Sequence, residues 1–205
     1  VHAAGVAFPD ALLTRGLYQY RPELPFTLGA ELAGVVRSAP QGATVKAGDR
    51  VLGLTMIGGA MAETAVLSPD RVFPLPDDIS FEAGAGLLFN DLTVFFALTE
   101  RARLAEGETV LVHGAAGGIG TSTLRIAPAL GASRVIAVVS TEEKKDVARA
   151  AGATDVVLAD GFKDAVAELT GGRGVDIVMD PVGGDRFTDS LRSLAPAGRL
   201  LVVGF

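Results

Sequence analysis

The chain has 205 residues, 49% of them hydrophobic and 20% charged, with a formal net charge of -6. That size and composition fit a globular chain with one large domain or two small ones, and exclude a disordered protein. The charge carries no basic block, which excludes a nucleic-acid or anionic-membrane surface, and the absence of cysteine excludes disulfides, thiolate nucleophiles and thiolate metal sites.

Residues 1–80 hold short β-branched runs at 33–37, 50–54, 62–67 and 71–74, separated by Gly and Pro roughly every ten residues. This is the spacing of small antiparallel strands joined by tight turns. The segment PLPDDIS, residues 74–80, marks a boundary, and Ser80 can cap a following helix that has Glu82 in its first turn. The most apolar stretch, residues 86–98, is interrupted by Asn90 and Asp91 and is too short to span a bilayer. No charged-then-apolar leader opens the chain, so a cytoplasmic protein is expected. Val1 at one end and an apolar strand-like run at the other predict that both ends are cuts in a longer chain.

From residue 81 the pattern alternates. Apolar strands are predicted at 109–113, 135–139, 155–158, 175–179 and 200–203, with helices over 118–131, 142–151, 162–170 and 185–194. Alternation of that length predicts an α/β domain with a doubly wound parallel sheet covered on both faces. Pro128 falls in the helix after the first strand and predicts a kink in its last turn.

The turn VHGAAGGIG, residues 112–120, follows the first of these strands and opens the first helix. Glycines there let phosphate oxygens approach backbone N–H groups at the positive end of a helix, the position of a dinucleotide's pyrophosphate. Ala115 stands at the first position of the G-x-G-x-x-G fingerprint, with Gly117 and Gly120 at the others and Gly118 adding clearance. A tight packing turn is the competing reading of the same glycines. About 20 residues on, where an acid would hold the ribose of NAD, the chain has neutral Ser140, followed by Lys144, Lys145 and Arg149. That combination suits a 2′-phosphate and favours NADP(H). The competing reading makes Lys144 and Lys145 i to i+4 partners of neighbouring acids on a solvated helix face, and Glu142 and Glu143 dilute the positive field. His2 and His113 are the only histidines, so no metal site and no Ser/His/Asp signature is expected, and His113 at the end of a buried strand reads as a core residue.

The segments AGVAFPD (4–10), LPFTLGAELAGVV (24–36), GDRV (48–51), HGAAGGIG (113–120), DPVGG (180–184) and GRLLVVGF (198–205) occur in one order along the chain. Together they resemble the zinc-independent medium-chain dehydrogenases/reductases, most of all the NADPH:quinone oxidoreductases. The resemblance implies part of a GroES-like β domain over 1–80 and a Rossmann-type NADP(H)-binding domain over 81–205, incomplete at its C-terminal end. It places Gly117, Gly118, Ile119 and Gly120 at the pyrophosphate, Ser140 and Lys144 at the 2′-phosphate, and Thr93 and Phe205 beside the nicotinamide. Zinc-dependent relatives have Cys where this chain has Ala7 and His within Gly29-Ala30-Glu31, so zinc is not expected. Asn where this chain has Ala7, Tyr at Leu12 and an aromatic at Ala159 are replaced here. Tyr18 and Asn90 are the candidates for the cleft, with no residue marked as the general acid. The implied function is hydride transfer from NADPH to a small-molecule quinone or activated alkene, by a homodimer when complete. An enoyl-thioester reductase and a non-catalytic, crystallin-like nucleotide-binding protein are the alternatives.

Overall fold

A computed structural model of the chain describes residues 1–55 and 58–204. It divides into two compact units, Val1–Leu92 and Thr93–Phe205. Among the described residues no helix is long and apolar enough to cross a membrane.

The first unit holds a four-stranded sheet in the order β1 (Ala3–Ala4), β2 (Glu31–Val35), β3 (Arg50–Leu54) and β4 (Val72–Pro74), antiparallel throughout. Helix α1 (Phe8–Thr14) follows β1, and α2 (Phe81–Gly84) follows β4. The Ser80 hydroxyl accepts the Ala83 N–H at 3.2 Å, the cap that the sequence predicts. Ala33, Leu52, Leu75, Ala85 and Leu88 form the core of this unit. The strand expected at 62–67 is instead irregular, with Val66 almost fully exposed. Edge position beside β3 is taken by β4, whose Val72, Phe73 and Pro74 pair with Gly53, Leu52 and Val51, so the 62–67 run has no free edge there to join.

Helix α3 (Phe89–Phe96) and the π-helical turn Ala97–Arg101 lead into the second sheet, which has five parallel strands. These are β5 (Thr109–Val112), β6 (Arg134–Val139), β7 (Asp155–Leu158), β8 (Val175–Asp180) and β9 (Leu194–Val202), in the spatial order β7-β6-β5-β8-β9. Alternate residues of each strand serve opposite faces, as a two-residue period requires. Val110, Val112, Val135, Ala137, Ile177 and Met179 cluster with Leu124 and Ala127 of α4 (Gly118–Ala129) and Ala148 of α5 (Lys144–Ala150). Leu111, Ile136, Val138 and Val178 cluster with Phe162 and Val166 of α6 (Phe162–Leu169) on the other face. The last helix, α7 (Phe187–Arg192), is shorter than the 185–194 expected, and β9 is longer than 200–203. The reason is a register shift: Val175 pairs with Leu194 but Ile177 with Arg199, and the extra residues bulge through Ala197 at φ 63. Pro128 is accommodated at the end of α4, where Leu130 N–H donates to Ile126 O at 3.0 Å and closes the helix two residues later.

Candidate functional site

The sheet order reverses between β5 and β8. Strands β6 and β7 extend one way from β5, while β8 and β9 extend the other, so a crevice opens outside the carboxyl ends of β5 and β8. Ligands of open α/β sheets bind at such a switch point.

The glycine turn lies there. His113 N–H donates to Met179 O of β8 at 3.0 Å and Ala115 N–H to Val138 O of β6 at 3.1 Å, which anchors the turn to both neighbours of β5. Gly117 N–H closes it on Gly114 O at 2.8 Å. The left-handed residue is Gly114, at φ 58, and Ala115 is not among the residues with positive φ, which explains how alanine fits at the fingerprint's first position. Gly120 answers a different need: a Cβ there would stand 2.4 Å from Gly114 O and 2.5 Å from Ala115 Cα. Only glycine lets α4 approach the turn this closely.

The hydrogen-bond ladder of α4 starts with Thr121 N–H donating to Gly117 O at 2.8 Å, so the N–H groups of Gly118, Ile119 and Gly120 lie ahead of it. Gly117 has no side chain to cap them. The first turns of α1, α2, α3, α5, α6 and α7 each carry an acid, and that of α4 carries none. A helix end of this kind can receive an anion through its N–H groups and its dipole.

One strand over, Ser140 directly follows β6. Lys144 donates from Nζ to Ser140 Oγ at 2.9 Å, and both residues are exposed. Lys145 is held by Glu142 at 2.9 Å and Arg149 by Asp146 at 3.0 Å. The pairing of bases with neighbouring acids therefore accounts for Lys145 and Arg149 but not for Lys144. Tyr18 and Asn90 are half-buried and belong to the first unit, while half-buried Thr93 begins the second. Phe205 lies outside the described residues.

Beneath the turn, His113 is fully buried, edge-on to Phe162 at 4.8 Å. Its Nε2 lies 2.8 Å from Ser190 Oγ. The Ser190 hydroxyl proton is committed to Arg186 O at 2.9 Å, so Nε2 is the donor to Oγ. Burial drives the imidazole below its ordinary value of 6.5, opposed by the Asp180 carboxylate and assisted by Arg186. His113 is a core side chain, as expected, although its Nδ1 has no hydrogen-bond partner among the described residues.

Residues 1–77 match the profile described as "Alcohol dehydrogenase GroES-like domain", and residues 118–205 match "Zinc-binding dehydrogenase". The chain is 42% identical over 208 residues to the quinone oxidoreductase-like protein 2 of Rattus norvegicus, covering 100% of this chain and 59% of the relative. A probable oxidoreductase from Mycobacterium abscessus superimposes with a TM-score of 0.90 at 46% identity, covering 98% of this chain and 64% of that one. The chain belongs to the medium-chain dehydrogenases/reductases, among the quinone oxidoreductase-like members. A quinone oxidoreductase of Escherichia coli, whose crystal structure is a complex with NADPH, superimposes on this family member with a TM-score of 0.89 at 36% identity, covering 99% of this chain and 63% of that one. The chain thus spans less than two thirds of the length of these relatives.

Zinc is the metal that one matching profile names, and the donors of this family member do not fit it. Cysteine is absent from the sequence. Asp10 accepts Ala7 N–H at 2.8 Å and Gly29 N–H at 3.0 Å, and Glu31 accepts Leu88 and Phe89 N–H, both at 2.8 Å. His2 stacks on Phe81 at 4.3 Å. Among the described residues no group of three or more His, Cys, Asp or Glu side chains could hold a metal. A groove of about 760 Å³ in the first unit has a mixed lining, with aliphatic Val36, Val45 and Val72 beside His2, Arg37 and Glu63, and lies away from the glycine turn in sequence and in unit. Sequence reasoning did not single out Glu31 or Asp180. The signals were an isolated acid within LGAELAGVV and an acid before Pro-Val-Gly-Gly at a strand end.

Proposed function

We propose that this chain supplies the NADP(H)-binding part and a portion of the catalytic domain of a reductase that passes a hydride to a quinone or activated alkene without zinc. The observation that carries the reading is the uncapped, acid-free start of α4 at the switch point, with the Lys144–Ser140 pair one strand away. The quinone oxidoreductase relatives, one of them solved with NADPH, support it.

In this reading the N–H groups of Gly118 and Ile119 hold the pyrophosphate, with Gly117 and Gly120 providing the clearance. Ser140 and Lys144 hold the 2′-phosphate, the hydroxyl as a hydrogen-bond partner and the ammonium as a charge. Thr93 and Phe205 stand beside the nicotinamide, and Tyr18 and Asn90 face the acceptor. NADPH supplies the hydride, and the protein's work is binding and orientation. The acceptor takes its proton from water, with no side chain required as general acid. Residues 1–80 correspond to the GroES-like part and 81–205 to the Rossmann-type part, and the intact protein works as a homodimer, which light scattering checks.

The test is steady-state NADPH oxidation by the intact protein with a panel of quinones and enones, repeated after treatment with a zinc chelator. Turnover unaffected by the chelator is expected. Saturable NADPH binding with no turnover on any acceptor would make the protein a non-catalytic nucleotide binder. Turnover confined to enoyl thioesters would assign it to the enoyl reductases.

A further inference from the structure

Asp180 ends β8 and His113 follows β5, and because Val112 pairs with Met179 the two stand side by side at the carboxyl ends of the strands that flank the switch point. Asp180 is 1% exposed. Its Oδ1 accepts the N–H groups of Val182 at 3.0 Å and Gly183 at 2.8 Å, folding the chain after β8 back on itself. The loop so formed needs Gly183, whose φ of 65 with ψ of -147 is closed to residues with a Cβ. Its outer residue, Val182, is half-exposed and meets the glycine turn: a Cβ on Gly114 would lie 3.1 Å from Val182 Cγ2. Residues 181–184 therefore stand directly beside the glycine turn at the switch point.

A carboxylate is a costly way to make this clamp. Its Oδ2 is buried with no hydrogen-bond partner among the described residues, so half of the group forgoes the hydrogen bonds that burial ordinarily requires. The proposed phosphate contacts do not use it.

We infer that Asp180 is a positioning residue for the dinucleotide, holding residues 181–184 at the distance from the glycine turn that admits the cofactor. The inference rests on the proposed NADP(H) reading. It assigns the role to one acceptor atom, Oδ1, which an asparagine can replace. Asp180→Asn keeps the oxygen that accepts both N–H groups, and Asp180→Ala removes it.

Two measurements on the intact protein separate the parts of this inference. Amide hydrogen exchange without cofactor reads the clamp itself: Val182 and Gly183 exchange about tenfold faster or more in Asp180→Ala and near the wild-type rate in Asp180→Asn. NADPH titration and steady-state kinetics read its consequence: the Kd and KM for NADPH rise about tenfold in Asp180→Ala while kcat at saturating NADPH stays within about twofold, and Asp180→Asn restores the KM. Asp180→Leu, close to asparagine in shape and without an acceptor, takes the place of the alanine variant if that one does not fold. Unchanged exchange, unchanged NADPH affinity once exchange has risen, or an asparagine variant as impaired as alanine would overturn the inference. Wild-type protein that does not bind NADPH would instead remove the cofactor reading, with the exchange result still deciding the clamp.

Discussion

Lys144 and Ser140 are joined by a 2.9 Å hydrogen bond across the first residues after β6, while Lys145, next in sequence, is tied to Glu142. One lysine of the pair is left with a hydroxyl partner that a phosphate can share. Replacing Lys144 by Ala is expected to weaken NADPH binding by about 1.5–3 kcal/mol, the range of a hydrogen bond to a charged group, and to leave NADH binding unchanged. Lys145→Ala, which removes an ion pair with exposed Glu142 and no contact to Ser140, changes neither by more than about 0.5 kcal/mol. Parallel nicotinamide-fluorescence titrations of the three proteins decide the matter. Equal losses for NADPH and NADH would show that Lys144 does not read the 2′-phosphate.

Gly120 tests the glycine turn from the packing side. Its missing Cβ would overlap Gly114 O and Ala115 Cα, both backbone atoms that no rotamer change can move. Gly120→Ala must displace either α4 or the turn, at about 1–3 kcal/mol of overpacking. Urea unfolding is expected to show that loss as a lower midpoint, accompanied by lost NADPH affinity. Gly107→Ala, in open space though also at positive φ, is the control: it loses stability through strain but keeps its affinity.

The alternation of strands and helices from residue 109 was legible because the strands are apolar on both faces and α4, α5 and α6 on one, so local pattern and tertiary role coincide. The 62–67 run has the same β-branched texture, but strand formation needs an edge, and the edge beside β3 went to β4. Pairing is a property of the whole sheet. Similarly, residues 195–198 fall between the expected helix over 185–194 and the expected strand over 200–203, whereas they form a bulge within β9, set by the register between Val175 and Leu194. At the site, the spacing of glycines and of Ser140 and Lys144 was readable because it lies within single turns. The tie of Asp180 to Val182 and Gly183 is equally local, but nothing in the sequence says that its oxygen is buried or that Val182 abuts Gly114. Glu31 reaches residues 57 positions away, beyond any local pattern.

Arg199 fastens β9 to the loop before β5. Its guanidinium grips Glu108 through both carboxylate oxygens at 2.6 Å, and its Nε donates to Ala102 O at 2.9 Å. The pair is mostly shielded, and the contact holds Glu108 below the usual carboxylate range. Arg199→Lys keeps the charge but loses the planar fork and the Nε donor, and is expected to cost about 1–2 kcal/mol by chemical denaturation. A depressed carboxylate contributes stability that is present above its unfolded value of 4.5 and lost as pH falls through the folded value. The gap between wild type and Arg199→Lys should therefore narrow on acidification below 4.5. A gap that is constant with pH would assign the loss to packing.

Glu31 runs the other way. It is 3% exposed, and burial raises its carboxyl above the ordinary 4.5 despite the N–H groups of Leu88 and Phe89, with Asp91 and Asp10 adding to the rise. A carboxyl raised by folding contributes stability that is complete below the unfolded value and is lost as pH climbs through the folded one. Above the unfolded value the burial of this carboxyl therefore opposes folding, and the acceptor oxygen is what α3 needs at its start. Glu31→Gln keeps an acceptor for both N–H groups and sheds the charge, so it should equal or exceed wild type in stability at pH 7. That advantage shrinks as pH falls toward 4.5. Glu31→Ala leaves Leu88 and Phe89 N–H without their acceptor and is expected to cost about 1–3 kcal/mol at either pH. Urea midpoints of the three proteins at pH 5 and pH 7 are the check. A glutamine variant that loses as much as alanine at pH 7 would show that the charge, rather than the oxygen, anchors the start of α3.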